Sequence, residues 1–279
     1  MSEPGREYLL VEAAGNRFAL ADGFALPPPD DPAAVARALA GRVDGLLLLE
    51  MPSADAKPAE TPRGALPALA RMILYNADGS RAEACGNGLR CIAAIAVEEG
   101  HVEPATFAIE TDAGPRSMEV WQEQGRVVRA RGGMGALTLG EPFRFEHAGA
   151  EHEVHPADAG NPHAVVFVDD VANADLASIG AALEHHPRFP NRTNVELARV
   201  VAAEPDRATL EVRVWERGVG ETGACGTGAC AAAVVAAARR DLPPPIDVRM
   251  PGGVLCVGWT DLASVHLEGP VRRLGTIRA

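Results

Sequence analysis

The segment EACGNGLRC at 83–91 returns in close likeness as GACGTGAC at 223–230, and Gly15-Asn16 returns as Gly160-Asn161. From Asn16 to Cys85 is 69 residues, and from Asn161 to Cys225 is 64. Two matching landmarks at matching spacing mark an internal duplication. Each half must then build the same supersecondary unit. The sequence therefore predicts an α/β chain of mixed α+β character, with two similar domains related by a pseudo-twofold axis. A length of 279 residues suits that count, at roughly 100–200 residues per domain.

Strands and helices alternate within each half. YLLVEA (8–13) and RFALAD (17–22) read as paired strands around Gly15-Asn16. DPAAVARALAG (31–41) has proline near its start and glycine at its end, as a helix should. GLLLLE (45–50) and ALARMILY (68–75) read as strands flanking a Pro/Ala loop, and GLRCIAAIAVEEG (88–100) as a buried helix. Three more strands are expected over 105–132. In the second half, AVVFVDD (164–170) and the cleanly alternating ATLEVRVWER (208–217) read as strands. NADLASIGAALEHH (173–186) and residues 228–240 read as helices, the latter with Arg239 and Arg240 complementing its C-terminus. The tail SVHLEGPVRRLGTI is expected to return as a strand to the first domain. The domains are drawn at 1–126 plus 267–279, carrying Cys85, and at 127–266, carrying Cys225.

Composition excludes several partners. Net charge is −12 and aromatics are 4%, which argues against phosphate-rich nucleic acid, anionic membranes and base-stacking platforms. The longest apolar run, ACAAAVVAAA (229–238), is far short of the roughly 20 residues of a bilayer span. The polar start MSEPGREYLL has no secretory apolar region behind it, so the expected setting is the cytoplasm. Five cysteines suit a reducing compartment, and neither pair of helix cysteines has metal-site or redox-motif spacing.

A cysteine just before a helix aims its sulfur at the unpaired N–H groups of the first turn. That positive end stabilises a thiolate and is expected to lower the thiol pKa below about 8.5. The same N–H groups can hold a carboxylate, and the glycines let backbone approach a ligand. One such turn supplies a nucleophile or a base. Two, on facing domains, would aim two sulfurs at one cleft. Inversion of a carbon centre needs that pair, because a base takes the proton from one face and an acid delivers one to the other.

YNADGSRAEACGNGLRC, GNPHAVVFVDD, FPNRTNVEL and WERGVGETGACGTGACAA resemble the successive signatures of the diaminopimelate epimerase family, over essentially the whole chain. The resemblance implies a cofactor-independent isomerase of lysine and peptidoglycan biosynthesis. Each domain would be a curved mixed sheet or barrel around a central helix, and the protein a homodimer. It implies Cys85 and Cys225 as the acid/base pair, Cys85 taking the proton from the L,L isomer and Cys225 from the meso isomer. Asn16, Asn76, Asn161 and Asn194 match substrate-binding asparagines, and Glu216-Arg217 the family's charged pair. Gly86-Asn87 and Gly226-Thr227 match the helix-mouth backbone that receives a carboxylate, and His163 a histidine near the catalytic centre. Two positions depart. Arg17 stands where the usual signature has an acid, and Gly45 where some members carry a substrate-contacting glutamine.

Other readings stand beside this one. The cysteines could be small core hydrophobes, as Cys91, Cys230 and Cys256 are expected to be. GVGETG (218–223) follows a strand and precedes a helix, as a dinucleotide fingerprint would, but without a supporting βαβ order. EHEVH (151–155) and His185-His186 lack a third metal ligand nearby, so no metal is expected. A pyridoxal-phosphate racemase needs a Schiff-base lysine, and the single lysine, Lys57, lies in the polar loop MPSADAKPAETP. A related racemase of another amino acid, a thiol redox protein and an amino-acid-binding module remain as rivals. The partner expected is a small-molecule amino-acid substrate.

Overall fold

The computed structural model describes residues 5–83, 85–103 and 106–279. The chain forms two compact units, one of residues 1–133 with 268–279 and one of residues 134–267.

In the first unit, β1 (Glu7–Ala13) and β2 (Asn16–Asp22) form a hairpin, closed by Ala14 and Gly15 at φ 47° and 82°. Positive φ at both turn residues matches the twist of the flanking strands. Next comes α1 (Pro32–Ala38), with Asp31 Oδ1 accepting from Ala34 N at 2.9 Å. β3 (Gly45–Glu50) follows, parallel to β2. The expected loop over 51–67 contains a small hairpin, β4 (Ala59–Thr61) with β5 (Gly64–Leu66). β6 (Ala68–Asn76) pairs antiparallel with β3 and with the short β7 (Arg81–Ala82). After α2 (Gly86–Glu98), β8 (Phe107–Glu110) runs parallel to β6. β9 (Arg116–Glu123) and β10 (Arg126–Gly135) continue antiparallel. The 126/127 division expected from sequence falls at the start of β10. That strand is tied to β9 through the left-handed Gln124-Gly125 turn and stays with the first unit as far as residue 133.

The second unit opens with β11 (Thr138–Leu139) and then repeats the scheme. β12 (Phe143–His147) and β13 (Ala150–Asp158) pair antiparallel, and β14 (Pro162–Phe167) joins β13 antiparallel. After α3 (Leu176–Glu184), β15 (Asn194–Glu204) runs parallel to β14. β16 (Arg207–Glu216) pairs antiparallel with β15 and with β17 (Gly220–Thr222). After α4 (Gly226–Arg240), β18 (Ile246–Met250) runs parallel to β16, and β19 (Gly253–Gly258) antiparallel to β18. β20 (Val265–Pro270) and β21 (Arg272–Arg278) end the chain, and β21 pairs with β1 as the tail was expected to do.

The order of pairings from β1 to β9 is the order from β13 to β19. β1 corresponds to β13, β2 to β14, β3 to β15, β6 to β16, and α2 to α4. The duplication read from two landmarks is thus a duplication of topology. Sequence analysis passed over β12, β15, β18 and β19; β15, buried over Asn194–Ala198 and exposed over its last four residues, has no clean alternation to read.

α2 and α4 occupy the same place in each unit. Every residue from Asn87 to Val97 of α2 is buried, and so is every residue from Gly228 to Ala236 of α4. A helix buried all round must be enclosed: β1, β3, β6 and β9 pack on α2, and β13–β16, β18 and β19 on α4. The first core gathers Ile92, Ile95, Leu20, Leu47, Phe107 and Met118 around α2. Around α4 the small side chains of Ala229 and Ala231–Ala233 allow close approach of the strands.

Candidate active site

In the first unit, three strand ends meet at one end of the sheet. β2 and β3 run parallel with Phe18 opposite Gly45, and Gly45 faces Asn76 at the end of β6. Asn16, Gly45 and Asn76 therefore share that end. Cys85 is the N-cap of α2 with extended backbone (φ −149°, ψ 120°), and its Sγ accepts from Gly88 N at 3.5 Å. Asn87 Nδ2 donates to Asn16 Oδ1 at 2.5 Å, which ties the helix mouth to the start of β2. Arg90, 1% exposed, supports this contact from below, donating to Asn87 Oδ1 and to Gly86 O.

The two departures have local explanations. Arg17 turns its side chain to Glu12 (3.3 Å) and gives its backbone N–H to Asp44 Oδ2 (2.7 Å), so its charge is held away from the mouth. A Cβ at Gly45 would lie 2.6 Å from the Tyr75 carbonyl oxygen, so no larger residue fits at this spacing of β3 and β6. Asn76 is exposed, and its amide donates to Ser80 Oγ at 3.0 Å within the β6–β7 turn. Asn76 reaches the right end of the sheet but is bonded to its own turn.

The second unit builds the same corner from different chemistry. Asn161 precedes β14, Asn194 opens β15 opposite His163, and Glu216 closes β16. Cys225, 8% exposed, caps α4 in the same extended conformation (φ −128°, ψ 119°), with its Sγ 3.4 Å from Thr227 Oγ1. Gly226 and Thr227 form the first turn. Glu216 accepts from the Thr222 hydroxyl and from the Cys225 thiol. Asn194 Oδ1 accepts from Arg217 N at 2.9 Å, and its amide donates to Pro162 O at 3.2 Å. Glu216, the last residue of β16, and Arg217, the first of the turn after it, part company. Glu216 turns toward Cys225. Arg217 donates to Asn191 O and lines an open cavity of about 290 Å³ with Asn161, Arg188, Arg192 and Asp158.

A buried histidine–glutamate pair lies under this corner. His163 and Glu196 are both fully buried, with Nδ1 2.7 Å from Glu196 Oε1, and His163 Nε2 lies 3.0 Å from Asn161 Oδ1. Sequence reasoning missed Glu196. Its signal was an acid in NVEL, two residues after Asn194 and so on the same face of β15.

The electrostatics correct one expectation. The helix mouth was expected to lower the thiol pKa, yet burial pushes the Cys225 thiol up, and the Glu216 and Glu196 carboxylates push it further. The bonds from Thr227 and Gly228 oppose this without overcoming it. Cys225 therefore rests as a thiol. Burial also raises Glu216, against the bonds from Thr222 and Cys225. Cys91 and Cys230 are fully buried core residues, and burial holds the Cys91 thiol up.

The competing motifs have local roles. In GVGETG, Gly218 N donates to Glu184 Oε1 of α3 (2.9 Å) and Val219 N to Glu216 O (3.0 Å), so neither of these N–H groups is turned to a phosphate. His155 lies 3.5 Å from Glu153, while His185 bonds Ala181 O and His186 stacks on Phe143. Among the described residues, no three His, Cys, Asp or Glu side chains are grouped as a metal would require.

A profile of the family described as diaminopimelate epimerase matches residues 60–137 and 156–274. The chain is 38% identical to the diaminopimelate epimerase of Desulforudis audaxviator, over 96% of this chain and 97% of that one. It is also 38% identical to that of Halorhodospira halophila, over 94% and 91%. Among solved structures, the fold is similar to a PhzF-family phenazine biosynthesis protein of Bacillus anthracis (TM-score 0.74, 14% identity, 99% of each chain). It is similar as well to a hydroxyproline epimerase of Agrobacterium vitis (TM-score 0.69, 19% identity, 100% and 92%).

Proposed function

The chain belongs to the diaminopimelate epimerase family, and on that premise we propose that it interconverts L,L- and meso-diaminopimelate with two thiols and no cofactor. The observation that carries this reading is the cysteine-capped helix mouth built twice at one topological position. Cys85 takes the α-proton of the L,L isomer as thiolate while the Cys225 thiol delivers one to the opposite face. In the meso direction the roles exchange.

The helix-mouth N–H groups of Gly86-Asn87 and Gly226-Thr227 receive the carboxylate at the reacting carbon, where negative charge is best placed. Charge develops there as the proton leaves, so oriented donors act on the transition state more than on the substrate. Asn16, Asn76, Asn161 and Asn194, with Glu216 and Arg217, hold the remaining polar groups of a substrate with several charges, and His163 supports Asn161. A resting Cys225 thiol suits the first turnover of the L,L isomer, which needs an acid on that side. The reading places the enzyme in the cytoplasm, as a homodimer, in lysine and peptidoglycan biosynthesis.

The test is incubation with L,L-diaminopimelate in deuterated water, followed by chiral and mass analysis. The expected product is meso-diaminopimelate carrying deuterium at the inverted α-carbon. Inversion of proline or hydroxyproline with no change in diaminopimelate would overturn the substrate.

A further inference from the structure

The two corners can be compared residue by residue, because the strand registers coincide. Phe18 faces Gly45 in the first unit, as His163 faces Asn194 in the second. Two residues along, Leu47 takes the place of Glu196. The third residue of each helix confirms the match. A Cβ at Gly88 would meet Leu47 Cδ2 at 3.0 Å, and a Cβ at Gly228 would meet Glu196 Oε1 at 2.6 Å. Phe18 and Leu47 are ordinary core residues. The equivalent pair under Cys225 is a fully buried histidine and carboxylate 2.7 Å apart.

A buried polar pair of this kind, charged or not, stabilises little compared with well-packed apolar residues. The first unit shows that apolar residues serve at the same positions. The pair therefore calls for a reason other than packing, and its contacts supply one. With Nδ1 facing a carboxylate, that nitrogen carries a proton whatever the charge of the ring. The ring is thereby oriented with Nε2 on Asn161, which the proposed reaction uses to bind substrate. The same carboxylate lies against the first turn of the helix that Cys225 caps. The other ionisable groups at this end of α4 are Cys225 itself, His163 from β14 and Glu216 from β16. From β13, His155 lies by Arg239 and Arg240 at the other end of the helix, and β18 and β19 turn Val248, Leu255 and Val257 inward.

We propose that Glu196 is a positioning residue for the Cys225 half of the reaction alone: it anchors His163, and through it Asn161, from against the first turn of the helix that Cys225 caps. From there its carboxylate adds to burial and to Glu216 in holding the Cys225 thiol up. Resting on the function proposed above, this makes the two thiols unequal although their turns are alike. It also predicts what steady-state rates conceal. The equilibrium between substrate and product ties the two directions together, so kcat/KM must fall by the same factor in both. The inequality has to be read on the thiols.

The experiment compares wild type with Glu196→Gln, which keeps an acceptor for His163 but removes the charge, and Glu196→Leu, which copies Leu47. Each is alkylated with iodoacetamide across a range of pH, and Cys85 and Cys225 are quantified by peptide mapping. Alkylation follows the thiolate. In Glu196→Gln the ratio of Cys225 to Cys85 labelling should rise about tenfold at neutral pH, with the Cys85 rate unchanged. In Glu196→Leu kcat/KM should fall by about 10²-fold in both directions, and in Glu196→Gln by about tenfold or less, since the hydrogen bond survives. An unchanged labelling ratio in Glu196→Gln overturns the charge role. Wild-type kcat/KM in Glu196→Leu overturns the anchoring role, and a Leu variant that does not fold leaves the labelling ratio in the Gln variant to decide. Labelling needs no turnover, so a wild-type protein that fails to epimerise diaminopimelate would reject the substrate and leave this test standing.

Discussion

Beneath Cys85 the strand register places Phe18 and Leu47, and a buried arginine, Arg90, holds Asn87 against Asn16. Beneath Cys225 the same register places His163 and Glu196, and where the first unit has Arg90 the second has Cys230, a core residue. At the end of the next strand the first unit has the neutral Asn76 and the second has Glu216. One topology has been furnished with cationic support on one side and anionic support on the other. The backbone turn is what the duplication preserved. The side chains around it diverged, and at Cys225 two carboxylates add to burial in holding the thiol up.

The harshest way to break the comparison is to remove each sulfur in turn. Cys85→Ala and Cys225→Ala should each lose about 10²–10⁴-fold or more in epimerisation, the scale of a lost general acid or base. Rates of product formation by chiral chromatography decide this. A single variant with full activity would mean that the two corners are not partners in one reaction.

The glycine pair gives the next largest effect. Gly88→Ala asks Leu47 to give way slightly, and the better helix propensity of alanine offsets this, so stability should stay within about 1 kcal/mol of wild type. Gly228→Ala pushes into a carboxylate pinned by His163 and should cost about 1–3 kcal/mol, as overpacking does. Urea denaturation of both variants sharpens the contrast, and equal costs would show that Glu196 moves as freely as Leu47.

The smallest effect concerns Glu216, whose pKa is raised in the folded protein chiefly by burial. A carboxyl that holds its proton more tightly when folded costs stability once ionised. That cost grows as pH rises from the unfolded value of about 4.3 and is complete above the folded one. Glu216→Gln, which makes this position resemble Asn76, should therefore raise Tm slightly at pH 7 and leave it unchanged near about pH 4. A gain in Tm that is the same at both values would assign the effect to packing.

The sequence by itself determined the duplication, the helix-capping cysteines and the asparagines beside them. Those features are local, because a helix mouth needs its glycines and a left-handed turn its Gly15 or Gly160, wherever the rest of the chain goes. The family signatures at the two turns were readable for the same reason. What only tertiary structure decided was the environment of those local motifs. NVEL shows an acid on the Asn194 face, but not that Glu196, like Leu47 in GLLLLE, lies against a helix mouth. Asn76 and Asn161 look alike in sequence, yet one bonds its own turn and the other a buried histidine. The thiol pKa expected from the helix mouth went the other way at Cys225, because burial and two carboxylates brought in from neighbouring strands outweigh a helix end. Electrostatic environment is a sum over everything close in space, and sequence spacing encodes only the part of it that lies within one turn.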